Sequence, residues 1–216
     1  MQNLSQTVIS NQSAHHPKLL ETVNKHLLNK FRRPYAEHNV TAFEKLKKRI
    51  GSAGKSLIFD SYCGNGQSTV ILAKRHPDCL VIGIDRSRAR LSKHQPQDLG
   101  NYLLVRADTD DFWRLAMEAG WQLRYHYIFY PNPWPKSSHL KRRIHGSPLF
   151  PTLLGLGGII EVRSNWQIYV EEFGIALAQV GITASISKSS TKHSDTLFEK
   201  KYKNGGQTLW IANAVL

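Results

Sequence analysis

Apolar runs of strand length recur along the chain, and the stretches between several of them carry apolar residues at helical spacing. The runs are rich in β-branched and aromatic residues and are bounded by polar, glycine or proline positions, which is typical of buried strands. Strands that alternate with helices predict a doubly wound α/β sheet with helices on both faces. Seven strands are predicted, over residues 56–60, 79–85, 102–107, 125–130, 157–163, 182–187 and 207–216.

The first 50 residues precede this alternation and have a different pattern. Residues 1–16 are polar, and apolar residues then return at helical spacing over residues 17–31. Thr41 and Glu44 form a capping box that predicts the start of a second helix, which Gly51 can end. We therefore divide the chain into a polar tail with a basic helical extension, residues 1–50, and an α/β domain, residues 51–216.

Composition and charge narrow the class of protein. A hydrophobic content of 41% indicates a globular chain. The formal charge of +13 favours nucleic acid as a partner first and an anionic membrane surface second. The helical extension holds nine Lys or Arg and three Glu between residues 18 and 49. That extension faces either RNA or solvent, and the sequence leaves both interpretations open.

Membrane and secreted classes are not expected. No apolar run approaches the roughly 20 residues of a membrane span, and the N-terminus lacks the pattern of a secretory signal. Cys63 and Cys79 form no C-x-x-C pair, so we expect neither a metal site nor a disulfide framework, and a reducing cytoplasm is the default. The sequence does not fix the oligomeric state, for which a monomer is the starting expectation.

The stretch from residue 125 to 143 carries the densest candidate chemistry. An aromatic strand runs into three prolines at positions 131, 133 and 135, which supply no N–H to a sheet. Asn132 and Trp134 stand between the prolines, at the carboxyl end of the strand, where open α/β sheets bind ligands. A cationic arm follows, made of Lys136, His139, Lys141, Arg142 and Arg143. The alternative is a proline-rich loop before a solvated basic helix.

A glycine loop and several acids predict a nucleotide-type cofactor site. Gly64 and Gly66 join the first strand to a helix, and the missing Cβ atoms let a ligand approach the backbone. Asp85 ends the second strand, where an acid accepts hydrogen bonds from ribose hydroxyls. Asp108 follows the third strand, where it can hold an adenine amino group, and helix capping is the competing explanation for this Asp/Thr cluster.

Two features argue against a dinucleotide-binding version of this loop. The third glycine of that fingerprint is missing, since Thr69 follows where the motif would close. Asp60 lies at the end of the first strand, before the glycines, where its carboxylate suits the ammonium group of an amino-acid cofactor. A carboxylate at that place would be poorly matched to a pyrophosphate.

The chain resembles the tRNA guanine-N7 methyltransferase family in four pieces that occur in order: D-S-Y-C-G-N-G, G-I-D, P-N-P-W-P-K-x-x-H-x-K-R-R and T-x-F-E. The resemblance covers roughly residues 56–210, and the proline–tryptophan string with its basic arm is the most specific part. It implies a class I S-adenosylmethionine-dependent methyltransferase fold in the α/β domain. It also implies methyl transfer to N7 of a guanine in the variable loop of tRNA.

The resemblance assigns residues to roles. It implies cofactor-binding positions at Asp60, Asp85, Asp108 and Asn132, to which the glycine loop and its surroundings add Gly64, Gly66, Arg86 and Thr109. Asn132 is also the candidate catalytic residue. The positions that hold the target nucleotide are Lys136, Asn165 and residues 196–199, among them Thr196, Phe198 and Glu199. We expect Arg142 and Arg143 to contact RNA phosphates, together with Lys136 and Lys141.

Two charge losses separate this chain from the family pattern. The family has Asp at the positions of Asn132 and Asn165, and E-I-G-x-G-x-G in place of D-S-Y-C-G-N-G. An amide oxygen can accept from guanine N1–H, but the amide NH2 would face the guanine N2 amino group donor to donor. Losing one charge-assisted bond costs about 1.5–3 kcal/mol. Guanine N7 carries a lone pair and no proton, so the reaction needs alignment rather than a base.

Two alternative functions therefore remain open at the level of sequence. The first is a methyltransferase on another target such as an exocyclic amine, because Asn132-Pro133 with Trp134 is similar to the N-P-P-aromatic motif of amino-group methyltransferases. In that motif the amide orients an NH2 nucleophile. The second is an RNA-binding relative that keeps the fold with little catalysis.

Overall fold

The computed structural model describes residues 7–51, 54–190 and 193–216. One seven-stranded sheet lies at its centre. Its strands in chain order are β1 (Ser56–Ser61), β2 (Cys79–Asp85), β3 (Tyr102–Arg106), β4 (Leu123–Phe129), β5 (Ile159–Ser164), β6 (Ser185–Lys188) and β7 (Trp210–Val215). The spatial order is β3-β2-β1-β4-β5-β7-β6, with β7 antiparallel to both of its neighbours and the other pairs parallel.

Helices cover both faces of the sheet, so the doubly wound α/β class is confirmed. They are α1 (Leu19–Leu28), α2 (Glu37–Ile50), α3 (Gln67–Arg75), α4 (Arg88–Leu91), α5 (Thr109–Glu118), α6 (Phe150–Leu156), α7 (Gln167–Ala178) and α8 (Leu197–Asn204). Two short 3-10 turns, Ser137–Arg142 and Ile144–Gly146, follow β4. Within the described residues, no helix is both long enough and apolar enough to span a bilayer.

Successive apolar residues of the central strands pack on opposite faces of the sheet. Phe59 and Ile82 belong to the larger apolar cluster, and their neighbours Ile58 and Val81 belong to the smaller one. All four are fully buried, which explains why these strands lack the polar alternation of a half-exposed sheet. The two faces together bury β1 and β2 in the centre of the fold.

The connections from β1 create the place where a ligand can bind. From β1 the chain moves outward through β2 to β3, and it then returns to β4 on the other side of β1. The order of strands therefore reverses between β1 and β4, and such a switch point opens a crevice at the carboxyl ends of the strands. The glycine loop after β1 and the proline loop after β4 both lie at that crevice.

The largest departures from the predicted elements concern helices. Thr41 lies inside α2, which begins at Glu37 after Ala36, so the capping box prediction for Thr41 is wrong. Gly51 does end that helix, with a φ of 56°. Residues 197–204 form α8, and neither α8 nor α6 was predicted. Strand β6 is limited to four residues, against six predicted.

Candidate active site

A cleft of about 760 Å³ lies at the switch point of the sheet. That volume is within the range of pockets that hold small molecules and cofactors. The glycine-loop side, the start of α5, the proline loop and α8 all contribute to its walls. Residues from the sequence prediction that line it are Asp85, Arg86, Asp108, Thr109, Asn132, Lys141, Arg142 and Phe198. The topology therefore brings most of the predicted cofactor residues to one place.

The glycine loop has room for a ligand on one side. Gly64 has a φ of 63°, and a Cβ built on it would meet no atom within 4 Å. Gly66 has a φ of 77°, and a Cβ there would lie 2.7 Å from Leu104 Cδ1. The first glycine therefore leaves open space beside the backbone, whereas the second is required by close packing and by its left-handed conformation.

Asp85 holds the glycine loop against the end of β2. One carboxylate oxygen accepts from the backbone N–H of Gly64 at 2.9 Å, and the other accepts from the N–H of Ser87 at 2.7 Å. Arg90 also lies 3.0 Å from the second oxygen. Although the side chain is 1% exposed, it borders the cleft. Asp85 thus shapes the loop in addition to the ribose-binding role predicted for it.

Asp60 has an unsatisfied oxygen beneath the glycine loop. Its Oδ2 accepts from the hydroxyls of Ser68 and Thr69 at 2.7 and 2.6 Å. Its Oδ1 is buried and has no hydrogen-bond partner among the described residues. Burial raises the pKa of Asp60 to about 6, against the two hydroxyl donors. A buried acceptor without a partner fits the ammonium group of the predicted cofactor.

The acids at the start of α5 have structural partners as well as a place in the cleft. Asp108 caps α5, accepting from the backbone N–H of Asp110 at 3.0 Å. Arg33, from the linker between α1 and α2, forms ion pairs with Asp108, Asp110 and Asp111. Burial, followed by the charge of Asp108, raises the pKa of Asp110 to about 6. Capping and ligand binding are compatible here, because Asp108 borders the cleft while it caps the helix.

Strained backbone is concentrated at the cleft. Across the described residues, a positive φ outside glycine occurs at Tyr62, Tyr130 and Trp134, with values of 65°, 51° and 47°. All three aromatic side chains line the cleft. Such strain costs about 1–3 kcal/mol per residue and is typical of functional sites. The sequence analysis missed Tyr62 and Tyr130, although Tyr62 stands at a glycine of the family motif.

The proline loop presents Asn132 and Trp134 to the cleft. Asn132 is exposed, and its Oδ1 accepts from the backbone N–H of Trp134 at 3.3 Å. The guanidinium of Arg142 lies 4.8 Å from the centre of the Trp134 ring, and His139 meets the same ring edge-on at 5.5 Å. Lys136 is exposed at the end of this loop but is not among the residues that line the cleft.

Two predicted substrate contacts are wrong. Arg143 is 0% exposed and is paired with the equally buried Glu172, so it is not available to an RNA phosphate. Glu199 is also 0% exposed; it accepts from Arg163 at 3.0 Å and from the backbone N–H of Asp195. Both charges are buried in ion pairs that hold elements together, because an unpaired charge at the same depth would be strongly destabilising.

The remaining predicted substrate residues lie around α8 and the end of β5. Thr196 caps α8 by accepting from the backbone N–H of Glu199 at 2.9 Å. Phe198 is 47% exposed, lines the cleft and stacks against Tyr202. Asn165 follows β5, donates to Gln207 at 2.9 Å and is not among the lining residues. The structure therefore brings Asn132 and Phe198 to the cleft but does not bring Asn165 into its wall.

Comparison with known proteins adds findings on sequence and fold. The sequence profile of a family described as "Putative methyltransferase" matches residues 55–212. A tRNA (guanine-N(7)-)-methyltransferase of Thiobacillus denitrificans is 31% identical over 159 residues, which cover 68% of this chain and 69% of that protein. The protein of that name from Treponema pallidum is 29% identical over 161 residues, covering 71% and 64%. Over the first three curated relatives, the chain spans 69%, 50% and 64% of their lengths.

Solved structures agree on the fold. An antibiotic-related methyltransferase has a TM-score of 0.59 at 14% identity, covering 86% of this chain and 97% of that one. A 16S rRNA (adenine(1408)-N(1))-methyltransferase from Catenulisporales acidiphilia has a TM-score of 0.53 at 16% identity, covering 80% and 90%. At these identities the likeness extends to the fold of class I methyltransferases alone.

Proposed function

This chain belongs to the methyltransferase family that its sequence matches over residues 55–212, and we propose that it transfers a methyl group from S-adenosylmethionine to N7 of a guanine in tRNA. The observation that supports the proposal is one cleft whose wall combines Tyr62 of the glycine loop, Asp85 and Asp108 with the proline loop; Asp60, Gly64 and Gly66 lie behind that wall and do not line it. A cofactor and a nucleobase must meet in one cavity for direct methyl transfer. The curated relatives named for this reaction support the choice of tRNA and of N7.

The cofactor side of the cleft is assigned to the residues around the glycine loop. S-adenosylmethionine supplies an electrophilic methyl group when it is bound. Asp60 offers an unpaired buried oxygen to its ammonium group, and Asp85 and Asp108 offer carboxylates for the ribose and the adenine. The open side of Gly64 admits the ligand to the backbone. Arg86 and Thr109 complete this part of the wall.

The substrate side needs to align a base and does not need to deprotonate it. Guanine N7 attacks with a lone pair that carries no proton, so the work of the protein is orientation and close approach. Aromatic side chains such as Trp134 and Phe198 suit the flat face of a base, and stacking of this kind stabilises a bound base by about 1–3 kcal/mol. Arg142 and Lys141, both on the cleft wall, place positive charge next to the RNA backbone.

The amide of Asn132 is relevant to both candidate targets. Its oxygen accepts from the backbone N–H of Trp134 and has a second lone pair. That lone pair can accept either from guanine N1–H or from an exocyclic amine. The hydrogen bond orients the amide in the cleft, and the Asn132→Asp variant tells the two targets apart.

The deciding experiment is nucleoside analysis of bulk tRNA after incubation with purified protein and labelled S-adenosylmethionine. We expect 7-methylguanosine, and we expect Asn132→Asp to keep or raise its single-turnover rate, because a carboxylate accepts from both N1–H and N2–H of guanine. Label in a methylated exocyclic amine, lost on Asn132→Asp, would establish the alternative target. Binding of tRNA without cofactor binding by calorimetry and without any methylated nucleoside would establish an RNA-binding relative instead.

We also propose a cytoplasmic setting, in which the substrate is present as free tRNA. Both cysteines are unpaired thiols in buried positions, which supports a reducing compartment.

A further inference from the structure

The proline loop, residues 131–136, is held by side chains from outside it. Proline has no backbone N–H, so three of the six residues in the loop cannot donate a backbone hydrogen bond to a neighbouring strand or helix. The carbonyl oxygens of its last three residues accept hydrogen bonds from side chains instead. Those of Trp134 and Lys136 each accept from the guanidinium of Arg143 at 3.3 Å, and that of Pro135 accepts from the hydroxyl of Ser10 at 2.6 Å.

Arg143 is itself fixed by a buried acid. Its guanidinium pairs with Glu172 of α7, and neither side chain has exposed surface. His145 lies 3.0 Å from the same carboxylate oxygen of Glu172. The Arg143 guanidinium also lies 4.8 Å from the centre of the Trp166 ring. A buried charge that is bonded on several sides has one geometry, so it can fix a loop that has few bonds of its own.

The N-terminal segment, residues 10–16, closes the same network. Gln12 bridges the pair, since its oxygen accepts from Arg143 at 2.9 Å and its amide donates to Glu172 at 2.6 Å. The backbone N–H of His16 donates to Glu172 at 2.8 Å. Asn11 accepts from the backbone N–H of Ser137, directly after the proline loop, at 3.0 Å. The polar tail of the sequence is therefore bonded to the loop that carries the candidate catalytic residue.

We propose that Arg143 and Glu172 are positioning residues for methyl transfer, and that hydrogen bonds from the N-terminal segment help them to hold the proline loop in place. They do not contact the substrate. Arg143 fixes the carbonyl of Trp134, and the N–H of the same residue donates to the amide oxygen of Asn132. Because the reaction depends on alignment, a displacement of about 1 Å in this loop lowers the rate by about 100-fold. The expected effect on the rate of methyl transfer rests on the proposed function, whereas the anchoring of the proline loop does not depend on it.

Gln12→Ala is the first variant to test, because it removes the bridge and leaves the buried ion pair intact. Glu172→Gln is the stronger version. Val81→Ala is the control for general destabilisation, since Val81 is fully buried in β2, a strand that β1 separates from β4 and the proline loop. Hydrogen exchange by mass spectrometry over residues 131–140, without cofactor or RNA, reports the anchoring. Single-turnover methylation of tRNA and calorimetry with the cofactor report the consequence.

In Gln12→Ala, we expect the backbone amides of residues 131–140 to exchange about tenfold faster than in the wild type. The single-turnover rate should fall about tenfold, and the affinity for the cofactor should not change. Val81→Ala should lower the melting temperature but change neither the exchange over residues 131–140 nor the single-turnover rate. Wild-type exchange in folded Gln12→Ala overturns the proposal, whether or not the protein methylates tRNA. Faster exchange at an unchanged rate overturns the positioning role. Failure of the proposed function appears separately, as absence of 7-methylguanosine with the wild type.

Discussion

At the scale of single residues, Asp60 is ionised at neutral pH at the expense of stability. Its folded pKa is about 6, whereas an aspartate in an unfolded chain titrates near 3.9. The unfolded state therefore releases this proton more readily. The group opposes folding as the pH rises through this interval, and it has no such effect below about pH 4. The acceptor that fits an ammonium group is thus maintained against the stability of the chain.

Asp60→Asn should raise the free energy of unfolding at pH 8 by up to about 3 kcal/mol, the equivalent of two pKa units. At pH 4 the gain should vanish, because the wild-type carboxyl is then protonated in the folded state. The same variant should bind S-adenosylmethionine more weakly. Urea denaturation at both pH values and calorimetry at pH 8 measure the two effects.

A stabilisation that is equal at the two pH values would contradict the raised pKa. Unchanged cofactor affinity would remove Asp60 from the binding site. Because Ser68 and Thr69 donate to one oxygen of Asp60, the amide oxygen of the variant can keep those bonds, which makes Asn the conservative choice.

Neighbouring arginines show what a sequence motif leaves undetermined. Arg142 and Arg143 are adjacent in the K-R-R string, and both were predicted to contact phosphate. Arg142 lies over the Trp134 ring at the cleft, while Arg143 is buried against Glu172. The partner that buries Arg143 is 29 positions away along the chain, so no local pattern indicates it. The candidate site was predictable down to its loops, but the burial of individual charges depends on tertiary contacts.

At the scale of elements, the strands were more predictable than the helices. Cys79–Asp85 was predicted with its final bounds, because a buried strand of a parallel sheet is an unbroken apolar run. No helix was predicted over residues 197–204, where charged and polar residues outnumber apolar and aromatic ones. The T-x-x-E pattern that marks a helix start occurs at both Thr41 and Thr196, but it caps a helix only at Thr196. At Thr41 the helix has already begun, at Glu37, so that threonine lies within α2.

The two threonines form a matched pair for a test of α8. Thr196→Ala should lower the free energy of unfolding by about 1 kcal/mol, because it removes the cap on the Glu199 N–H. Thr41→Ala, on the exposed surface inside α2, should have no cost, since alanine has the higher helix propensity. Urea denaturation of both variants measures the difference. An equal effect at the two positions would contradict the assignment of the cap.

At the scale of the whole molecule, the charge of +13 supports an RNA partner. The excess is spread over several elements, so total charge alone does not locate the interface. Lys141 and Arg142 line the cleft, whereas Lys47 and Lys48 are exposed in the last turn of α2, where a cation stabilises the helix dipole. These two pairs carry equal charge and differ in surroundings.

Replacing Lys141 and Arg142 together by Gln should flatten the dependence of tRNA affinity on salt. Each lost phosphate contact lowers the slope of log K against log salt by about 0.7–0.9, so we expect a decrease of about 1–2 units. Gln at Lys47 and Lys48 removes the same charge, and we expect an unchanged slope, because these side chains lie outside the cleft that Lys141 and Arg142 line. Filter binding over a series of salt concentrations measures both variants. If the control pair flattens the slope and the cleft pair does not, the RNA lies on the helical extension, and the cationic arm is a solvated surface.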